Sequence, residues 1–155
     1  SYELKQLIDQ TYDNGNPTYY RLSDHEHDIE IKVEFGKGQI LKSAQSQNTV
    51  ITAGPILRNV VEACKDLDLN ILYFPTIKPL DTELLNQFKD HNLMVIHEAY
   101  GLLEAAQSAF PASRFAARTM RDSFVNSYGN LEQIRGDLGF DARSLREFLT
   151  QNMIS

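Results

Sequence analysis

The sequence predicts an α/β domain, a three-layer open sheet of about five mostly parallel strands with helices on both faces. Three observations carry this. Beyond residue 48, short apolar runs rich in branched side chains alternate with segments whose apolar residues recur at helical spacing. Each change of pattern is marked by glycine, proline or a capping aspartate. The 155 residues are 42% hydrophobic and 23% charged, a globular composition in a length that suits one domain of roughly 100 to 150 residues. Strands alternating with helices imply right-handed crossovers, and hence parallel strands covered by helices on both sides.

The opening residues 2–12 place Leu4, Leu7, Ile8 and Tyr12 at helical spacing, and Asp13-Asn14-Gly15-Asn16-Pro17 stops that helix. The aromatic run Thr18-Tyr19-Tyr20-Arg21-Leu22 reads as a strand, and the polar residues 23–28 as a linker. This helix and strand are therefore assigned to a preceding domain, with the main body starting near Ile29. Ile29, Ile31, Val33 and Phe35 alternate with Glu30, Lys32 and Glu34, the period of a half-buried strand. Gly36-Lys37-Gly38 is expected to turn it into a hairpin with a second strand over 39–43.

Residues 49–53 then read as a strand, Gly54-Pro55 as a turn, and 56–67 as a helix with Ile56, Val60, Ala63, Cys64 and Leu67 on one face. Strands follow at 70–74 and 93–96, separated by a helix over 81–91 for which Asp81 is the expected N-cap. A helix over 101–110 and a final edge strand over 114–120 complete the sheet. The tail holds the turn Asn126-Ser127-Tyr128-Gly129, a short helix through Ile134 and a last helix over 141–153, capped by Asp141 and burying Leu145, Phe148 and Leu149.

The formal charge of −6 offers no cationic footprint for a phosphate backbone, so nucleic acid is not an expected partner. No apolar run approaches the roughly 20 residues needed to span a bilayer, and the first ten residues contain no signal-peptide core. With a single cysteine, Cys64, in a helical pattern, the expectation is a reducing, cytoplasmic setting and a buried thiol. The chain does not begin with Met and opens inside a helical pattern, which suggests a fragment or a processed chain.

Candidate chemistry is sparse. Gly54 sits where a strand turns into a helix and could present amides to an anion, although one glycine followed by Pro55 falls short of a dinucleotide or phosphate-loop motif. His97-Glu98 ends a predicted parallel strand, where open α/β sheets place ligands, but no nucleophile accompanies the pair. These three residues are the candidates for a ligand or an interface. Asp24, His25, Glu26 and His27 lie in the polar linker and read as solvated rather than as metal ligands. No catalytic residue and no metal ligand is assigned.

Several segments, in order, resemble the C-terminal domain of transketolase-type thiamine diphosphate enzymes. Tyr73-Phe74-Pro75-Thr76-Ile77-Lys78-Pro79-Leu80-Asp81 is similar to that domain's strand, Lys-Pro-Leu-Asp turn and helix start. Phe35-Gly36-Lys37-Gly38 with Val50-Ile51-Thr52-Ala53-Gly54 resembles its opening hairpin and first parallel strand, and Val61-Glu62-Ala63-Cys64-Lys65-Asp66-Leu67 its first helix. Phe124-Val125 through Phe140-Asp141, with Leu145 beyond, resembles its ending. Upstream, Asn16-Pro17-Thr18-Tyr19-Tyr20-Arg21-Leu22-Ser23 looks like the last strand of the preceding pyrimidine-binding domain. The chain departs from the family at Ser23-Asp24, where sugar-transferring members commonly have Ser-Arg, and at His97-Glu98-Ala99-Tyr100-Gly101, where an acidic pair and a Gly-Gly loop are usual.

The resemblance implies that residues 1–28 are the tail of a pyrimidine-binding domain plus linker and residues 29–155 a transketolase C-terminal-like domain. It implies a structural and dimerising part of a transferase whose thiamine diphosphate and Mg are held elsewhere, so that this chain binds neither and is inactive alone. The parent could equally be similar to deoxyxylulose phosphate synthase. Expected partners are the upstream domains and a second copy, the latter across an apolar patch around Tyr73, Phe74, Ile77 and Leu102. The alternatives are a free-standing small-anion module at Gly54 or His97, and a degenerate paralogue that docks a partner.

Overall fold

The computed structural model describes residues 2–23, 25–120, 122, 125–126 and 128–154. Five strands form one sheet in the order β1-β3-β2-β4-β5: β1 Gln39–Lys42, β2 Asn48–Thr52, β3 Asn70–Tyr73, β4 Asn92–His97 and β5 Phe115–Thr119. β2 pairs in parallel with β3 and β4, and β4 with β5. Only β1 runs antiparallel, on the edge beside β3.

β2, β3 and β4 are buried along their whole length, as expected of parallel strands covered on both sides. Successive side chains alternate between two cores. Val50, Ile71, Met94 and Ile96 meet Val60 of α2 (Leu57–Ala63) and Leu145, Phe148 and Leu149 of α6 (Ala142–Asn152). Ile51, Leu72, Leu93 and Val95 meet Leu85 of α3 (Thr82–Asn86) and Leu102 and Ala106 of α4 (Leu102–Ala109). The three-layer prediction holds. Each large apolar side chain so enclosed contributes roughly 1.5–3 kcal/mol relative to exposure.

The helices differ in detail from the periodicity. The predicted helix over 56–67 is a 3-10 turn, Gly54–Ile56, followed by the short α2. It stops early because Lys42 on β1 donates to the carbonyls of Cys64 (2.9 Å) and Leu67 (2.6 Å), holding the chain in turns. The predicted helix over 81–91 is only the five residues of α3. Asp81 caps it as expected, accepting from Leu84 N–H at 3.1 Å, and its second oxygen accepts from Gly38 N–H at 3.1 Å. That bond draws the Gly36–Gly38 turn against Phe74, where a Cβ on Gly38 would come within 2.7 Å of the ring. The short helix through Ile134 extends further, as α5 Leu131–Leu138.

Two predicted strands do not join the sheet. Residues 29–34 form no ladder and no regular element, and Phe35 already lies in the turn that follows. Instead they lie along α1 (Tyr2–Thr11), whose glutamines stand in for a neighbouring strand. Gln6 Nε2 donates to Ile31 O (3.0 Å) and its Oε1 accepts from Val33 N–H (3.0 Å). One helical turn on, Gln10 Nε2 donates to Val33 O (2.9 Å) and its Oε1 accepts from Phe35 N–H (2.7 Å). Backbone groups that need partners thus find them in side-chain amides, while Ile31 and Val33 pack on Leu57 and Tyr73. The expected hairpin is therefore absent, and β1 pairs with β3 instead. Residues 18–22 form no regular element and pair with no strand among the described residues.

The expected apolar patch is also corrected. Tyr73, Phe74 and Leu102 are 0–1% exposed and belong to the cores of the chain itself, with Ile77 packed beside them. A charged residue at 73 or 102 would break a core rather than separate protomers. In the turn expected at 126–129, Ser127 lies outside the described residues, as does Phe124 of the resembling C-terminal segment.

An asparagine begins each of the three central strands, and Asn48, Asn70 and Asn92 are only 2–3% exposed. Asn48 Nδ2 donates to Ile154 O and its Oδ1 accepts from Ile154 N–H, both at 2.9 Å, and Oδ1 also accepts from Asn92 Nδ2 at 3.0 Å. Asn92 Nδ2 donates to Asn152 O (2.8 Å), while Asn70 Nδ2 donates to Ser46 O (2.9 Å). The end of α6 is thereby welded to the amino edge of the sheet. Asn48→Ala leaves several buried groups unsatisfied and should cost about 2–3 kcal/mol, seen as a lower urea midpoint with an unchanged slope.

Candidate functional site

From β2 the chain moves to β3 on one side and then crosses to β4 on the other. The crevice outside the carboxyl ends of β2 and β4 is thus the topological switch point, the position that favours ligands in such sheets. All three candidate residues emerge there. Thr52 is in register with Ile96, so Ala53-Gly54 and His97-Glu98 leave the sheet next to one another.

Each is engaged by other parts of the chain. Gly54 adopts a left-handed φ of +74° that glycine tolerates best, and its N–H faces the Tyr73 hydroxyl. Glu98 holds a two-pronged ion pair with Arg135 of α5, Oε2 to Nε at 2.8 Å and Oε1 to Nη2 at 2.7 Å. Arg135 is 6% exposed. His97 is likewise buried, and its Nδ1 has no hydrogen-bond partner. Burial, with a smaller contribution from the Arg21 charge, pushes its pKa down to about 4, against a weaker opposing pull from Glu104. His97 is therefore a neutral ring near pH 7.

Beside this crevice lies a buried polar cluster. The Tyr73 hydroxyl donates to Glu3 Oε2 at 2.8 Å, and Glu3 Oε1 lies 3.1 Å from His27 Nε2. His27 Nδ1 accepts from Ile29 N–H at 3.1 Å, which assigns the ring proton of the neutral form to Nε2. Burial, followed by the Glu3 carboxylate, drives the Tyr73 hydroxyl strongly upward, so it stays protonated and donating. The cluster joins α1, the linker and β3. His27, expected in the solvated linker, is thus buried, while His25 is exposed and Asp24 lies outside the described residues. Burial pushes the Cys64 thiol up to about 12, so it is no nucleophile. Among the described residues no three His, Cys, Asp or Glu side chains converge on a point that could hold a metal, and no helix is long and apolar enough to cross a membrane.

Sequence reasoning found the switch-point residues but not what engages them. Arg135 is 37 positions from Glu98, and Glu3 is 70 from Tyr73. Neither separation leaves a local pattern.

The site yields two expectations. Unfolded His97 takes up a proton near pH 6.5 and the folded form only near pH 4. The unfolded state therefore binds more protons in that window, and stability should fall as pH drops through it, by on the order of 2–3 kcal/mol. Denaturation across these pH values should show a flatter profile for His97→Gln. In a second test, Glu98→Ala strands the Arg135 guanidinium and should cost about 3 kcal/mol, whereas the joint change Glu98→Leu with Arg135→Met should recover most of it. Thermal unfolding reads both.

Comparison with known proteins gives consistent likenesses. No known family profile matches the chain. It is 26% identical over 169 aligned positions to 1-deoxy-D-xylulose-5-phosphate synthase of Acidovorax sp. (strain JS42), covering 96% of this chain and 26% of that protein. To the synthase of the same name from Proteus mirabilis (strain HI4320) it is 29% identical over 125 positions, covering 75% of this chain and 20% of that protein. The chain thus spans about a quarter or less of the length of these relatives. Among solved structures, an inactive beta4 tetramer of a split-gene transketolase superposes with a TM-score of 0.69 at 20% identity, covering 79% of this chain and 44% of that one. Transketolase from Campylobacter jejuni gives 0.58 at 14% identity, covering 75% and 18%. Sequence likeness and fold agree: the chain has the α/β fold of a transketolase C-terminal domain and is similar in sequence to the corresponding part of these synthases.

Proposed function

We propose that the chain is the structural and dimerising C-terminal part of a cytoplasmic, thiamine diphosphate-dependent transferase of the transketolase type, and holds no catalytic centre of its own. Residues 1–28 are then the end of the preceding pyrimidine-binding domain and its linker, and 29–155 the C-terminal domain. The observation that carries this is the amino-terminal tail. Residues 18–22 have strand-forming side chains but form no regular element and no backbone ladder among the described residues, and Tyr12, Tyr19 and Leu22 are 87%, 89% and 65% exposed. Aromatic side chains bared around a segment of strand-forming residues without a partner strand mark a surface that another element covers. The same tail is fastened to the α/β body through Glu3, Gln6 and Gln10. It therefore suits a rigid joint between this domain and the one before it.

No step of cofactor chemistry is assigned to this chain. The parent acts on a sugar phosphate or keto acid, and its similarity to deoxyxylulose phosphate synthases makes that reaction class the first to assay.

Mixing the chain with the polypeptide encoded upstream should give a stable complex with thiamine diphosphate-dependent turnover, while the chain alone shows none. In that complex the amides of residues 18–22 should gain hydrogen-exchange protection, and Tyr19→Asp with Leu22→Asp should weaken assembly at least about tenfold. Lack of a complex, or protection unchanged on mixing, would refute the assembly role.

A further inference from the structure

Four buried side-chain atoms have no hydrogen-bond partner among the described residues: Thr52 Oγ1, Asn92 Oδ1, His97 Nδ1 and Arg118 Nε. Thr52, His97 and Arg118 sit at or next to the carboxyl ends of the adjacent strands β2, β4 and β5. Buried donors without acceptors are rare because each forfeits its hydration without compensation. Of these three side chains, Arg118 alone carries a fixed charge and lines a cleft. The cleft has a volume of about 260 Å³, and Thr119, Gly136, Asp137, Gly139 and Phe140 also line it.

The register of Arg118 with Ile96 sets its side chain on the α6 face of the sheet, where its Cζ lies 5.3 Å from the centre of the Phe148 ring. Stacking occupies the flat face of the guanidinium and leaves its N–H edge for an acceptor. A Cβ on Gly139 would stand 3.3 Å from Nη1, so glycine at this left-handed cap of α5 keeps room beside the guanidinium. Arg58, Arg135 and Arg143 each pair with a carboxylate, whereas among the described residues Arg118 has none.

We propose that this cleft binds a small carboxylate-bearing molecule, its two oxygens held by the N–H edge of Arg118. That edge matches a carboxylate in geometry as well as charge. Phosphate would offer a similar pair of oxygens, but Asp137 at the cleft and the carbonyl end of α5 make the surroundings negative. Such surroundings penalise a dianion more than a monoanion. The volume, just below that of pockets for drug-sized ligands, suits a small molecule.

The test is a titration of the nitrogen-labelled chain alone, so its outcome is independent of the assembly experiment. Sodium acetate and inorganic phosphate are added separately while the Arg118 Nε–H and Gly139 amide signals are followed. Acetate should shift both saturably in the millimolar range, more tightly than phosphate, and Arg118→Lys should weaken it at least about tenfold because lysine lacks the planar edge. Asp137→Asn, a change at an exposed helix end, should tighten acetate several-fold by removing the nearby negative charge. Shifts that stay linear to about 100 mM acetate, equal binding in Arg118→Lys, tighter binding of phosphate, or no tightening in Asp137→Asn would overturn the proposal.

Discussion

Burial of β2 and β4 on both faces is the constraint from which the remaining structure follows. Strands that present Val50 and Ile51, or Met94 and Val95, to opposite sides cannot leave either side wet. Both faces must carry helices, and the crossovers must lie on opposite faces once the chain reverses direction at β2. The α2–α6 layer and the α3–α4 layer answer that demand. The carboxyl ends of β2 and β4 then become the switch point as a geometric consequence.

The two ends of the sheet are closed by polar contacts of different kinds. At the amino end, neutral asparagine amides tie strand starts to the last residues of α6, satisfying buried groups without charge. At the carboxyl end, the Glu98–Arg135 pair pins α5 beside the sheet, and Tyr73 reaches Glu3 and His27 of the tail. Such a buried ion pair is a weak source of net stability but a strong determinant of which helix sits where, since either partner alone is costly. The switch point is consequently tied into the joint between tail and body, with a buried neutral histidine at its floor.

The tail extends the same logic. Its helix exposes Tyr2 and Ile8, and Tyr12 follows just beyond it, while Gln6 and Gln10 are spent on the backbone of residues 31–35. An isolated helix of this length is marginal in water. Its order comes from the side-chain ladder and from Leu7 packing near Ile31, Val33 and Tyr73.

The sequence by itself determined the α/β class, the order of the central strands and helices along the chain, and the caps at Asp81 and Asp141, because periodicity and capping are local properties. It also placed Gly54 and His97-Glu98 at strand ends, since strand boundaries are local too. Tertiary structure alone decided that residues 29–35 leave the sheet. Their alternation suits any half-buried extended segment, and whether a strand or two glutamine side chains answer its backbone depends on residues about 25 positions away. The same holds for Tyr73, Phe74 and Leu102. Their apolarity demands a partner surface, but only the folded packing shows that this surface lies within the same chain. Arg135 and Arg118 were silent in the sequence for a related reason: a cation reveals its role only when the fold brings it an acid, a ring or an open cleft.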